Sequence, residues 1–201
     1  MSTGRSGQVF RWRTAPACRA ALIVFLDFEA SSLSKKSVPI EIAWVFEDGR
    51  SRSALIRPAA DWDDWAADAE AIHGISRELL ASEGVPVEQI ASEMVEVLTG
   101  HDLYASAPSW DGKWLSVLLR AAGFPRHALR LGKSRDAFMA AARELTGATI
   151  TETELSELID GIIEESKAAI PAHRALADAV LELTRWKLVR EAAEKRMATD
   201  W

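Results

Sequence analysis

The 201-residue sequence predicts an α/β domain built on a mixed sheet. Three observations predict it. The stretch Ala20 to Phe28 (AALIVFLDF) is apolar on consecutive residues, as a central strand buried on both faces requires. Pro39 to Phe46 (PIEIAWVF) reads as a second strand, and Asp48-Gly49 turns it into a third over Ser51 to Arg57, so the sheet begins as an antiparallel meander. Beyond it, segments of helical period alternate with short apolar segments, giving the order β-β-β-α-β-α-β-α-α.

Each later element has its own signal. Asp61 to Ala71 is compatible with a helix, with Asp61 as its N-cap. Gly84-Val85-Pro86 breaks the chain, after which Val87, Ile90, Ala91, Met94 and Leu98 keep helical spacing. Asp102 to Ala105 is a short fourth strand. Trp114, Leu115, Leu118, Leu119 and Ala122 form the apolar face of another helix, stopped by Gly123 and Pro125. Ala128 to Leu131 supplies a fifth strand, and Asp136 to Leu145 is helical. Leu155, Leu158, Ile159, Ile162 and Ile163 define a long acidic helix that Pro171 stops, and a last helix runs from about Arg174 to Met197. Met1 to Arg19 is polar, basic and aperiodic, a flexible tail ahead of one domain over residues 20–201. No internal repeat or low-complexity segment is present.

Composition narrows the function classes. Hydrophobic residues make up 48% and charged residues 27%, enough for a core. A formal net charge of −6 argues against a protein that coats nucleic acid by bulk electrostatics. It leaves room for an enzyme with a carboxylate metal site, whose cations the formal count omits. Arg126, Arg130, Lys133 and Arg135 cluster in one stretch, and Lys35 and Lys36 form a pair; each set reads as phosphate contacts or as a solvated face. The single cysteine, Cys18, excludes an intrachain disulfide and suits a reducing compartment. The apolar run Ala20 to Leu26 is too short to span a bilayer, and it leads into Asp27 and Glu29 with no good cleavage site. A cytoplasmic protein without a membrane partner is expected.

Three segments carry chemistry. In Asp27-Phe28-Glu29, strand alternation puts both carboxylates on one face at the end of an otherwise apolar strand. Two adjacent charges there resist desolvation unless a divalent cation pairs with them, or unless they merely mark the strand's exit into solvent. His173 and Asp178 are too far apart to share a helix face. They converge if His173 lies in the loop after Pro171 and Asp178 lies inside the helix. That suits a general base reaching a water; the alternative is a surface histidine beside an ordinary helical aspartate. Asp111, just ahead of a helix, reads on its own as an N-cap.

Together these segments resemble the DEDDh 3′→5′ exonuclease family of the RNase H-like superfamily. The family's Asp-x-Glu, followed by small residues and a leucine, is matched by Asp27-Phe28-Glu29-Ala30-Ser31-Ser32-Leu33. Its aromatic-Asp motif is matched by Trp110-Asp111, and its His-x-Ala-x-x-Asp motif by His173-Arg174-Ala175-Leu176-Ala177-Asp178. A His-Gly-Ile followed by Ser or Thr, between the first two motifs, is matched by His73-Gly74-Ile75-Ser76. The order agrees from about residue 21 to 185. The sequence departs at Ala30-Ser31-Ser32, where the family usually carries Thr-Thr-Gly, and at Ser106 to Ser109, where His-Asn usually precedes the aromatic residue.

The resemblance implies an RNase H-like, five-stranded mixed sheet flanked by helices and a two-metal hydrolase. Asp27, Glu29 and Asp178 would hold one Mg²⁺ or Mn²⁺. Asp27 and Asp111 would place a second about 3.5–4 Å away. His173 would act as general base, and 5′-mononucleotides would leave the 3′ end of single-stranded RNA or DNA. Leu33 matches the residue that wedges against the terminal base, with Phe28, Ala30 and Ser31 as neighbouring substrate contacts. Trp110 is a candidate for stacking on bases, whereas Trp114 fits core packing. His73 reads equally as a substrate contact or as a residue that shapes its turn. The family also suggests a homodimer. Two rivals keep the fold: a catalytically silent nucleic-acid-binding protein, against which no metal carboxylate is lost, and a polymerase-associated proofreading module, against which no long C-terminal tether is seen. A third, an acid/base hydrolase using Asp27 and Glu29 without metal, would be indifferent to EDTA.

Overall fold

The fold is organised around a buried strand that ends in carboxylates. The structure is a computed structural model that describes residues 20–167 and 173–199; the tail expected over 1–19 and the helix stop expected at Pro171 lie outside them. Three strands come first: β1 (Ile23–Ala30), β2 (Pro39–Phe46) and β3 (Ser51–Arg57). Then come α1 (Ala67–His73), α2 (Arg77–Glu83), β4 (Val85–Pro86), α3 (Val87–Leu98), β5 (Asp102–Ala105), α4 (Pro108–Ala121), β6 (Leu131–Lys133), α5 (Ser134–Thr146), α6 (Glu152–Lys167) and α7 (Ala175–Thr199). They build the α/β, RNase H-like fold with a mixed sheet ordered β4-β3-β2-β1-β5-β6.

The meander forms as expected. β1 and β3 both pair antiparallel with β2, and Gly49 closes the turn with φ 89°, donating to the Phe46 carbonyl at 2.8 Å. β5 pairs parallel with β1 and β6 parallel with β5, so β1 has a neighbour on each side. Helices cover both of its faces, which is why its sequence is apolar on successive residues. Val24, Leu26 and Phe28 pack with Ile90 and Met94 of α3 and Trp114 and Leu118 of α4. Phe25 faces the other way, with Val45, Phe138 of α5, Ile159 of α6 and Leu183 and Val189 of α7. Full burial of a side chain such as Phe25 contributes roughly 1.5–3 kcal/mol. Alternation then sends Asp27 and Glu29 to the α7 side of the sheet.

The sheet has six strands, where the sequence predicts five. The added strand, β4, is two residues long at the edge, with Val85 opposite Ile56. Its Gly84-Val85-Pro86 sequence breaks the chain locally, and no two-residue strand has a readable period. Tertiary approach creates it: a Cβ on Gly84 would lie 2.6 Å from the Arg57 backbone nitrogen. The helix expected from Asp61 with an aspartate cap begins instead at Ala67, with Ala66 at the N-cap position. The unexpected α2 is capped by Ser76, whose hydroxyl accepts from the Leu79 N–H. The last strand lies at Leu131–Lys133 rather than over 128–131. Among the described residues, no helix is long and apolar enough to cross a membrane.

Candidate metal centre

Three carboxylates converge at the C-terminal end of β1. One oxygen each from Asp27, Glu29 and Asp178 lies within 4.8 Å of the others. Asp27 and Glu29 come from the same face of β1. Asp178 comes from the first turn of α7, which packs across β1 and β2. Asp111 enters from the opposite layer. It is no N-cap; it sits inside the first turn of α4, which begins at Pro108. It is 2% exposed, and its Oδ2 has no hydrogen-bond partner among the described residues.

Burial and mutual repulsion outweigh the positive charge that Arg174, His173 and Arg185 bring to these carboxylates. Burial drives the Asp27 carboxyl well above the usual range, and Asp111, Asp178 and Glu29 add repulsion. Burial, then Asp178 and Glu41, push Glu29 up to about 7. Burial pushes Asp111 up to about 7 against the opposing pull of backbone amides near Phe28 and Ala107. Burial also raises Asp178, while His173 pulls it down. Hard oxygen donors at this density, one of them buried and unpartnered, fit a divalent cation such as Mg²⁺ or Mn²⁺.

His173 stands in the turn immediately before α7, exposed and close enough to lower the Asp178 carboxyl. Among the described residues it is the only non-glycine with positive φ, at 42°. A histidine held in that strained region marks a place where the surroundings fix the backbone. Glu41 supplies part of that constraint. It is 1% exposed, opposite Glu29 in the β1–β2 register. It accepts from Arg174 Nη2 at 2.7 Å, Arg174 Nε at 3.0 Å and the Ala175 N–H at 3.1 Å.

The other sequence candidates divide by exposure. Leu33 is 73% exposed on the loop after β1, and Trp110 is 37% exposed, stacked on the buried Trp114 at 5.6 Å. Phe28 and Ala30 turn their side chains into the core, and Ser31 is buried with its hydroxyl committed to Asp64. His73 is buried; its Nδ1 accepts from the Ile75 N–H at 3.1 Å, which shapes the turn out of α1. Arg135 is taken up by Asp160 and Ser156, whereas Arg126 and Arg130 line a cavity of about 340 Å³ that reaches Gly112, next to Asp111.

Two acidic residues of this region belong to none of the sequence motifs. Glu182, one turn beyond Asp178 on α7, is buried, bonded to Arg185, and adds repulsion at Asp27, Asp111 and Asp178. Its i+4 spacing from Asp178 is the signal that could have found it. Glu41 gives none: its shortest bonds come from Arg174 and Ala175, 133 and 134 residues away, with Ser53 Oγ on β3 at 3.5 Å.

At the level of sequence, no family model and no curated protein matches the chain. Solved structures do match. A moderately thermophilic exonuclease I from Methylocaldum szegediense aligns with a TM-score of 0.62 at 17% identity, over 86% of this chain and 41% of its own. The zinc-bound E. coli exonuclease I complex with single-stranded DNA aligns with a TM-score of 0.62 at 16% identity, over 90% of this chain and 43% of its own. The E. coli exonuclease I complex with a dT13 oligonucleotide gives the same values. At such identity the likeness is one of fold. The chain spans less than half the length of these structures.

Proposed function

We propose that residues 20–201 form a divalent-metal-dependent 3′→5′ exonuclease domain that releases 5′-mononucleotides from single-stranded RNA or DNA. The observation that carries this reading is the convergence of Asp27, Glu29 and Asp178, with buried Asp111 beside them, on an RNase H-like sheet. The exonuclease I structures of the same fold include complexes with single-stranded oligonucleotides, which supports that substrate class. A reducing, cytoplasmic setting suits the cysteine usage.

In this reading Asp27, Glu29 and Asp178 would hold one Mg²⁺ or Mn²⁺, and Asp27 with Asp111 would hold a second. Bound there, the cations lower the pKa of the attacking water and offset charge on the scissile phosphate. The chain's own residues do the rest. His173 accepts the proton from the water as its oxygen bonds to phosphorus, and the bond from phosphorus to the 3′ oxygen breaks in line, its electron pair leaving on that oxygen, which takes a proton from solvent. Leu33 and Trp110, both exposed apolar groups, rest on the terminal nucleotide. Arg126 and Arg130 contact phosphates further along the strand.

His173→Ala tests the proton step. Turnover falls by roughly 10²–10⁴, while Mn²⁺ affinity by calorimetry stays within a few-fold of wild type, because no carboxylate is removed. Unchanged turnover in that variant removes His173 from the mechanism.

A further inference from the structure

The loop that carries Leu33 is ordered by a device that the exonuclease reading leaves unused. Leu33 is 73% exposed, so burial does not hold it in place. The loop is held by its polar neighbours. Three serine hydroxyls converge on one carboxylate, that of Asp64: Ser31 Oγ donates to Oδ2 at 2.7 Å, Ser32 Oγ to the same oxygen at 2.6 Å, and Ser34 Oγ to Oδ1 at 2.7 Å. Each of these hydroxyl oxygens also accepts a backbone N–H of the loop at 3.0 Å. Ser31 takes that of Val38, Ser32 that of Ser34, and Ser34 that of Lys36. The result is three two-bond relays radiating from Asp64. A carboxylate that only accepts fixes the direction of all three O–H bonds, and so leaves each oxygen's lone pairs facing an amide.

The relays are tied into the rest of the site. The Ser31 carbonyl accepts at 2.9 Å from the N–H of Ala66, the N-cap position of α1. On the other flank, Lys113 Nζ donates to the Ser34 carbonyl at 2.7 Å and to Ser37 Oγ at 2.6 Å, and Trp114 Nε1 donates to Ser37 Oγ at 2.9 Å. Lys113 and Trp114 follow Asp111 on α4, and Lys113 Nζ lies 5.2 Å from the centre of the Trp110 ring. One bonded path therefore joins Asp64, the Leu33 loop and the helix that carries Asp111. Burial pushes the Asp64 carboxyl upward, but the bonds from Ser32, Ser34 and Ser31 hold it below the ordinary carboxylate range. It stays an anion, able to accept all three bonds, at neutral pH.

We propose that Asp64 is a positioning residue for the substrate end: through Ser31, Ser32 and Ser34 it fixes the loop that sets Leu33 against the base of the 3′-terminal nucleotide. This rests on the exonuclease reading above. It also gives the Ala30-Ser31-Ser32 departure a physical role, since both serines are hydroxyl relays to Asp64.

Asp64→Asn in the full chain keeps the volume and turns one acceptor oxygen into a donor NH₂, so at most part of the serine set remains satisfied. Two readouts are needed. Amide hydrogen exchange at Ser34, Lys36 and Val38 accelerates tenfold or more relative to the wild type, whatever the catalytic activity is. On single-stranded oligomers kcat/KM falls about tenfold to a hundredfold. That loss merges with the loss from Leu33→Ala, so the double variant is no slower than the slower single one. On an oligomer whose 3′-terminal nucleotide is abasic, the Asp64→Asn effect shrinks to within about threefold. Ser34→Ala, at an exposed residue, is the second variant; it speeds exchange at Lys36 alone and gives a smaller kinetic loss. Unchanged amide exchange overturns the clasp. Multiplying losses in the double variant, or an equal loss on the abasic-ended oligomer, overturns its role at the base. A wild-type protein with no nuclease activity overturns the exonuclease reading itself, and the exchange data then report the clasp apart from it.

Discussion

Asp27→Asn lowers turnover of single-stranded substrate by roughly a thousandfold or more, and weakens Mn²⁺ binding with it. Asp27 is the carboxylate common to both proposed cation positions. It is held on the central strand, so no neighbour moves in to replace it. Asp111, Asp178, Glu29 and Glu182 all act on its charge. Asparagine keeps the shape and the strand pairing with Ala43 but removes the negative charge. The variant therefore folds and fails. The pair of readouts separates it from His173→Ala, which loses turnover and keeps metal. A loss under tenfold for Asp27→Asn, at saturating metal, contradicts a shared role for this residue.

In metal-free solution near neutral pH, Asp111→Asn is more stable than the wild type. Burial holds the Asp111 carboxyl at about 7 in the folded chain, against an ordinary 3.8. Between those values the folded state binds the proton more tightly than the unfolded state does. This group's contribution is therefore fully present below about pH 4 and is lost as pH rises to about 7, with no further change above it. From pH 5 to pH 8 the wild type loses about 2–3 kcal/mol from this group alone. The amide that replaces the carboxyl does not titrate, so the variant escapes that loss. Glu29 and Asp27 act in the same direction, while His73, pushed down by burial, acts the other way. Glu29, Asp27 and His73 remain in both proteins, and the repulsion that Asp111 exerts on Asp27 and Glu29, which Asp111→Asn also relieves, adds to the difference in the same direction. Urea midpoints in chelator should diverge in favour of Asp111→Asn from pH 5 to pH 8. Added Mg²⁺ should then stabilise the wild type more than the variant. Parallel pH curves contradict a strained, buried carboxyl at this position.

What the sequence disclosed follows the range of the forces involved. β1 was legible because a strand covered on both faces is apolar on successive residues, and that shows from Ala20 to Leu26. Asp27 and Glu29 were legible as a same-face pair because strand alternation is local. His173 and Asp178 were legible as convergent only if a helix began between them, which α7 does at Ala175. Asp111 reads from the sequence as lying ahead of its helix because Ala107, at the N-cap of α4, has no side chain that can cap it. The edge strand β4 and the Asp64 relays had no local trace. Val85 owes its pairing to Ile56, and Asp64 owes its role to serines 30 to 33 residues earlier. Glu41 is the extreme case: a charged residue in an otherwise apolar strand, whose shortest bonds come from Arg174 and Ala175, 133 and 134 residues away.

The central claim is tested most directly with 5′-labelled single-stranded RNA and DNA oligomers, purified protein and Mg²⁺ or Mn²⁺, beside an Asp27→Ala control and an EDTA control. The predicted result is a ladder that shortens from the 3′ end with release of mononucleotides, absent from both controls; the sugar that supports it names the preferred polymer. Cleavage of neither polymer with either metal, or cleavage that survives EDTA, contradicts a metal-dependent exonuclease.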